Sequence, residues 1–419
     1  MPGLARAVRP ARIARVARVV RVDARRGSLL TAVPLLALLG AVAGWRELPE
    51  GFRDWDSVVG AAEASVRWSG PTAAGLAAWT GMSGRHLDYL RALTARSPAA
   101  APLHDLALLS AVALTGYLAG ALVVAAPVLP GGGFRETHLL GVLAGAGTLA
   151  LYVAAGYLAG LSWAHPLAVA LTVAAAAAWV ALRPEGSWTV LLPPSLTGPA
   201  DLFDAPRAGV LAAQLCWAAG LAAALVLGHL AWITRRRLLL GGVLLALSAT
   251  ALGTARIHAA DGVASHPSQV KRVCRHWPVS VCVHPSLAAA LPSLSAAVAP
   301  LAARLSGTPD AIVRIEQRSG REPASFDAGT VGFHLPDLSP GYARRAVHEI
   351  ESTLARCPAP PTGLQAQVSA WLRDDPVPHL PDTPFTRWSE TQRRAWLALR
   401  YAEFRSCSLV SVRHRPRPA

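Results

Sequence analysis

The sequence is nearly free of lysine. One lysine, Lys271, stands among 419 residues, beside 39 arginines. A phosphate-binding P-loop closes on Gly-Lys-Ser/Thr, whereas Lys271 lies in Gln269-Val270-Lys271-Arg272. The chain therefore hydrolyses no nucleotide through a P-loop of its own. Charge is scarce as well: Asp, Glu, Lys and Arg make up 16%, against about 25% in soluble domains. A Cys-x-x-Cys pair is absent, which argues against a zinc knuckle. What is abundant is apolar: 53% hydrophobic residues and a mean hydropathy of +0.35, with a formal net charge of +15. These values describe an integral membrane protein rather than a compact soluble enzyme. At roughly 150 residues per domain the length allows two or three domains.

The charges are unevenly distributed. Residues 1–103 hold 14 basic and 7 acidic residues, 104–256 hold 7 and 5, and 257–419 hold 19 and 13. The middle stretch has the density of a membrane domain and the last that of a soluble one. A bilayer-spanning helix needs about 20 apolar residues. Six runs qualify: 28–45, 105–127, 138–160, 166–182, 209–233 and 238–255. A seventh, Ser57 to Gly81, is apolar but contains Glu63 and Arg67, four residues apart with the acid first, so they can pair on one helix face. If it spans, inner segments carry 14 Arg and short outer loops five; if not, the counts are 11 and 9. The positive-inside rule favours seven spans, N-terminus inside and C-terminus outside, with six as the alternative. The expected fold is thus an all-α polytopic membrane domain followed by a small α+β soluble domain. Its segments are a basic cytoplasmic stretch 1–27, a transmembrane domain 28–256, an extracytoplasmic domain 257–412 and a disordered tail 413–419.

Cysteine placement agrees. Cys216 falls in a span, while Cys274, Cys282, Cys357 and Cys407 all fall in the soluble domain, and an even set outside the cell is a disulfide framework. Four cysteines allow three pairings; Cys274–Cys282 with Cys357–Cys407 is the expected one, because the first pair flanks the turn-like His276-Trp277-Pro278. The alternative is four free thiols in a cytosolic domain. At the N-terminus Arg6, Arg9, Arg12, Arg15, Arg18 and Arg21 wrap around a helix instead of lining one face. They read as a cytoplasmic flank that fixes orientation and touches anionic lipid, not as a nucleic-acid site. Val22 to Gly27 would also make an adequate start of the chain.

The loop 82–104 is expected on the cytoplasmic side. Leu87, Leu90 and Leu93 fall near one helical face, with Arg85, Asp88 and Arg96 elsewhere; Ser83 can cap the start and Pro98 ends it. This is a short amphipathic helix at the membrane surface, and a plain interfacial loop is the alternative. The basic start Arg25-Arg26-Gly27, the polar second span and this loop, ending in Thr94-Ala95-Arg96-Ser97-Pro98, resemble the membrane subunit of ABC-2-type exporters, especially actinobacterial permeases with an extra extracytoplasmic domain. The resemblance covers roughly residues 20–256 and rests on layout and the loop pattern. It implies a separate ATPase subunit, a homo- or heterodimer of permease chains, no cofactor, and coupling through the first cytoplasmic loop, here Arg85, Leu87, Asp88, Leu90 and Arg91. The family has six core spans, one fewer than the count here.

Other features carry less chemistry. Gly116-Tyr-Leu-Ala-Gly120 recurs as Gly156-Tyr-Leu-Ala-Gly160, a small-residue spacing that lets helices pack closely. In the soluble domain, strands are expected at 279–284, 311–317 and 330–335, and helices at 287–305, 340–357, 364–373 and 389–407, the last opened by a capping box of Ser389 and Gln392. The pair His348-Glu349 lacks the second histidine of the zinc-peptidase motif His-Glu-x-x-His, its place being taken by Ser352, so the two side chains read as solvated and no catalytic residue is assigned. Two further classes stay open: a membrane-anchored sensor or scaffold with an extracytoplasmic ligand- or protein-binding domain, and an enzyme of the outer membrane face.

Overall fold

A computed structural model of the chain describes residues 27–51, 53–84, 99–131, 134–163, 165–182, 201–261, 263–355, 357, 360–380 and 384–409. They form two compact units. The first contains the chain up to Leu48, Arg53–Ala200 and Ala205–His266; the second contains Pro49–Phe52, Asp201–Asp204 and the chain from Pro267 on.

The first unit is helical: α1 (Gly27–Glu47), α2 (Trp55–Gly84), α3 (Ala100–Ala125), α4 (Glu136–Ser162), α5 (Leu167–Ala181), α6 (Ala208–Thr234) and α7 (Leu238–Ala259). A run of Ala, Leu and Val satisfies its own backbone only as a helix when its surroundings cannot hydrogen-bond. Serine and threonine hydroxyls inside these helices bond back to the carbonyl a turn earlier, as Thr148 does to Ala144 at 2.9 Å. Two helices are fixed at their starts by polar residues. Asp54 accepts from the Ser57 N–H at 2.8 Å, while Ser57 Oγ accepts from the Asp54 N–H. On α4, the Arg135 N–H donates to His138 Nδ1 at 2.8 Å.

Packing in this unit relies on glycine. α2 and α4 run parallel, and their contacts keep one offset of 82 residues along the whole crossing. Asp56 meets His138, at 3.0 Å. A methyl at Gly141 would strike Val59, one at Gly70 the Tyr152 ring, one at Gly156 the Ala74 backbone and one at Gly160 the Ala78 backbone. The contact thus extends from residue 56 to residue 78, 22 steps along the helix and about 33 Å at 1.5 Å per residue. α1 and α3 are parallel too, Gly116 lying on Val33 and Leu36 and Gly120 on Ala37 and Ala41. Both copies of Gly-Tyr-Leu-Ala-Gly therefore sit at helix crossings. α6 and α7 are antiparallel, with Gly220 against Ala246 and Thr250 and Gly253 against Ala213 and Trp217.

The second unit holds a five-stranded sheet of order β3-β4-β5-β7-β6, formed by β3 (Val273–Arg275), β4 (Ser280–Val283), β5 (Arg314–Gln317), β6 (Phe326–Asp327) and β7 (Thr330–Phe333). The middle strands β4, β5 and β7 are parallel and both edges antiparallel. A two-stranded sheet pairs β1 (Asp204–Pro206) with β2 (Ser265–Pro267). A 3-10 turn, Pro285–Ala290, leads into α8 (Leu291–Leu305), and α9 (Tyr342–Leu354), α10 (Gly363–Leu372), α11 (Glu390–Leu399) and α12 (Tyr401–Arg405) follow the sheet. The core joins Val281, Val283, Ile315, Val331 and Phe333 of the strands to Leu294, Leu301, Ile350, Val368 and Phe404 of the helices; each such side chain contributes about 1.5–3 kcal/mol through burial.

Disulfides join Cys274 to Cys282 and Cys357 to Cys407, the expected pairing. The first links directly paired residues of β3 and β4. The expected helix 389–407 is two helices: α11 ends at Leu399 and α12 starts at Tyr401, Arg400 leaving the helical conformation. Its capping box forms as expected, the Gln392 N–H donating to Ser389 Oγ and the Ser389 N–H to Gln392 Oε1. The edge strands β3 and β6 went unread because two or three residues carry no alternation long enough to see.

Among the described residues, five helical stretches are long and apolar enough to cross a membrane: α3, α4, α6, α7 and the stretch Pro285–Leu305. The last belongs to the sheet unit, where Leu287, Leu294, Leu301 and Leu305 are fully buried in the core. Its hydrophobicity is that of a core helix, and α3, α4, α6 and α7 are the membrane candidates of the helical unit.

Candidate functional site

The residues expected to couple to an ATPase, Arg85, Leu87, Asp88, Leu90 and Arg91, lie outside the described residues. What the structure gives is their frame: α2 leads into the loop at Gly84 and α3 leaves it at Ala100.

Inside the helical unit the polar residues gather where α2, α3 and α4 cross. Glu63 of α2 is 2% exposed, and its carboxylate lies where a side chain at Gly141 would be. One turn along α4, Gly145 makes the same room for the Tyr117 hydroxyl of α3. Tyr117 is buried, and among the described residues its hydroxyl has no hydrogen-bond partner. Arg67 Nε is also buried and, among the described residues, has no hydrogen-bond partner. The geometry places the acid at the three-helix crossing, next to a phenol, and Arg67 one turn further along α2. Nearer the helix ends, Tyr157 donates to Asp105 at 3.2 Å, joining α4 to α3, and Asp56 meets His138 beside the stacked Trp55 ring. Sequence reading singled out Glu63 and Arg67 but missed Tyr117, Asp56 and His138. Polar residues spread over three helices share no local spacing.

A cavity of about 50 Å³ opens among α1–α4, lined by Leu36, Ala73, Leu76, Leu109, Ala113 and Val153. Small-molecule sites occupy about 300–1,000 Å³, so it is too small for a drug-sized molecule. By contrast α7 buries only Ala246, Gly253 and Ile257 and leaves Leu238, Leu244 and Leu245 at 92%, 66% and 74% exposure.

In the sheet unit, His348 is exposed, as expected, while Glu349 is half-buried, and both side chains are paired. Glu349 reaches back to the end of β7, where it accepts from the His334 backbone N–H at 3.0 Å and pairs with the His334 ring at 2.5 Å. Burial lowers the His334 pKa, but the Glu349 hydrogen bond, the Glu322 carbonyl and the Glu349 charge together outweigh it, and the net shift is upward. His348 turns to Asp375, at 3.1 Å, which also accepts from Arg373. The two side chains thus serve separate tethers. Among the described residues no three His, Cys, Asp or Glu side chains converge to hold a metal ion.

The sheet unit also incorporates two remote segments. The Leu338 N–H donates to the Glu50 carbonyl at 2.8 Å, and Gly51, at φ +83°, packs on Leu338 in a conformation open to glycine. Asp201 accepts from Ser319 Oγ at 2.5 Å and from the Gly320 N–H, and Asp204 pairs with Arg321 at 2.7 Å. No protein-family model, curated protein or solved structure matches this chain.

Proposed function

We propose that the protein is the membrane-spanning permease subunit of an ABC-2-type export system, driven by a separate ATPase subunit. The observation that supports this best is the constant offset between α2 and α4. A helix parallel to a membrane candidate over about 33 Å matches the roughly 30 Å hydrocarbon core, so α2 crosses the bilayer despite Glu63 and Arg67. Counted with α1, the shorter apolar helix α5 and the candidates α3, α4, α6 and α7, α2 makes seven spans. Connectivity agrees: the α1–α2 link (Glu50, Gly51), the segment before α6 (Asp201, Asp204) and the chain after α7 all join one folded unit, and must share one side of the membrane. Seven alternating spans put all three on one side; six, without α2, separate the first from the others. Disulfides persist in oxidising compartments, which supports reading that side as the exterior; α2, 30 residues and about 45 Å long, then leads residues 85–98 to the cytoplasmic side.

In this reading ATP binding on the partner moves the amphipathic segment, and α2 transmits the movement to the crossing at Glu63. Arg67 and Glu63 are the intramembrane charges of the pathway. The small cavity within one bundle, and the apolar face of α7, fit a path formed between two permease chains in the lipid. The chain itself carries no catalytic role. Replacing Leu87 and Leu90 by Asp is expected to abolish co-purification of the partner ATPase subunit while the protein stays folded. Undiminished co-purification would refute the coupling assignment and favour the sensor or scaffold reading.

A further inference from the structure

The hairpin of β3 and β4 presents one face that the sheet unit does not use. Val273 and Arg275 of β3 and, on either side of the strand, Lys271 and Trp277 follow every second position and are all exposed, Trp277 at 79%. Of the residues between them, Arg272 and Cys274 are half-buried: Arg272 donates to the Gln317 carbonyl at 3.0 Å and faces Glu316, and Cys274 is bonded to Cys282. Among the described residues neither Lys271 nor Arg275 takes part in an ion pair. The tip is held firmly. The disulfide closes the hairpin three residues before Trp277, Ser295 Oγ donates to the Trp277 carbonyl at 3.4 Å, and His276 Nδ1 meets Ser280 Oγ at 3.3 Å. An indole in water on a braced backbone gains nothing for folding and is already arranged for contact.

We propose that this stripe docks on the phospholipid headgroups of the bilayer, with Trp277 in the interfacial layer and Lys271 and Arg275 on lipid phosphates. Tryptophan is the residue of membrane interfaces, and cations within a Debye length of an anionic headgroup layer are drawn to it. The tether supports the same occupant. Lys271 lies 12 residues after Ala259, the last residue of α7, a reach of at most about 40 Å, so the stripe begins within that distance of the end of the span. The inference rests on α7 being a span, as the proposed function has it, but not on the presence of an ATPase.

The test uses the full chain with Cys216→Ala and Trp277→Cys, carrying a nitroxide at 277, in nanodiscs rich in phosphatidylglycerol. A label at 277 is expected to be several-fold more accessible to oxygen than to a water-soluble nickel chelate. A control label at Leu399→Cys, whose leucine is 85% exposed, is expected to show the reverse. Adding Lys271→Glu and Arg275→Glu should return the 277 label to the water-exposed pattern. A 277 label as open to nickel as the 399 control overturns the proposal. So does one shielded from both reagents in every lipid, which would mean that protein covers the stripe. Sealed vesicles and a membrane-impermeant reductant read separately which side the label occupies. A label on the cytoplasmic side defeats the proposed topology without deciding the depth measurement.

Discussion

The helical unit and the sheet unit pack by opposite means. In the helical unit the closest contacts are made by residues with almost no side chain: Gly156 and Gly160 lie on the backbones of Ala74 and Ala78, and its buried cluster is rich in alanine and tyrosine. In the sheet unit the core is Leu, Ile, Val and Phe, closed by two disulfides. The difference follows from the solvent. Water drives large apolar side chains into a core, whereas between helices in lipid that drive vanishes and close approach of backbones takes its place. Hence α7 leaves its leucines exposed while α8 buries them.

This contrast can be broken in stages. The largest effect is expected from Cys357→Ala with Cys407→Ala. Opening a loop of 50 residues costs about 4 kcal/mol in the loop-entropy account. Hydrogen exchange should show protection falling across 267–409 and not in α3 or α4; loss in both would mean that the units fold as one. Next, Leu301→Ala in the sheet core, at 0% exposure, should cost about 3 kcal/mol through cavity formation. Leu244→Ala in α7 should cost under about 0.5 kcal/mol. Equal losses by denaturant titration in nanodiscs would mean that α7 is covered by protein.

Smaller is Gly156→Ala, whose methyl meets the Ala74 backbone; overpacking costs about 1–3 kcal/mol and should lower the thermal midpoint of the helical unit. Gly209→Ala, with open space around it, is the neutral control, and equal behaviour of the two would discount the α2–α4 crossing. The smallest effect is that of pH. Because the folded His334 pKa is raised, the His334–Glu349 tether stabilises fully below the unfolded value near 6.5. That contribution is lost as pH rises through the folded pKa. The stability difference between the wild type and Glu349→Gln should therefore shrink from pH 5 to pH 9; a constant difference would remove the charged tether.

Legibility differed between the units for a related reason. The bounds of α4 and α6 were readable to within a few residues, because a long uncharged run has no other stable state in lipid. α2 was ambiguous because Glu63 and Arg67 dilute its hydropathy, and its partner is found 82 residues away. His348 and Glu349 look solvated on an isolated amphipathic helix. Only the return of β7 beside α9 supplies His334, and only the loop after α10 supplies Asp375. The amphipathic loop 85–96 remains a reading of its periodicity.

Composition and order along the chain determined the membrane character, the separate C-terminal α+β domain and the even cysteine set, since each depends on local transfer energies or on counting. The tertiary structure decided which cysteines pair, which helix meets which, and that Glu50 and Asp201 belong with residues far along the chain. Those are contacts between distant segments, set by which surfaces fit once all of them are buried, and no local stretch of sequence encodes them alone.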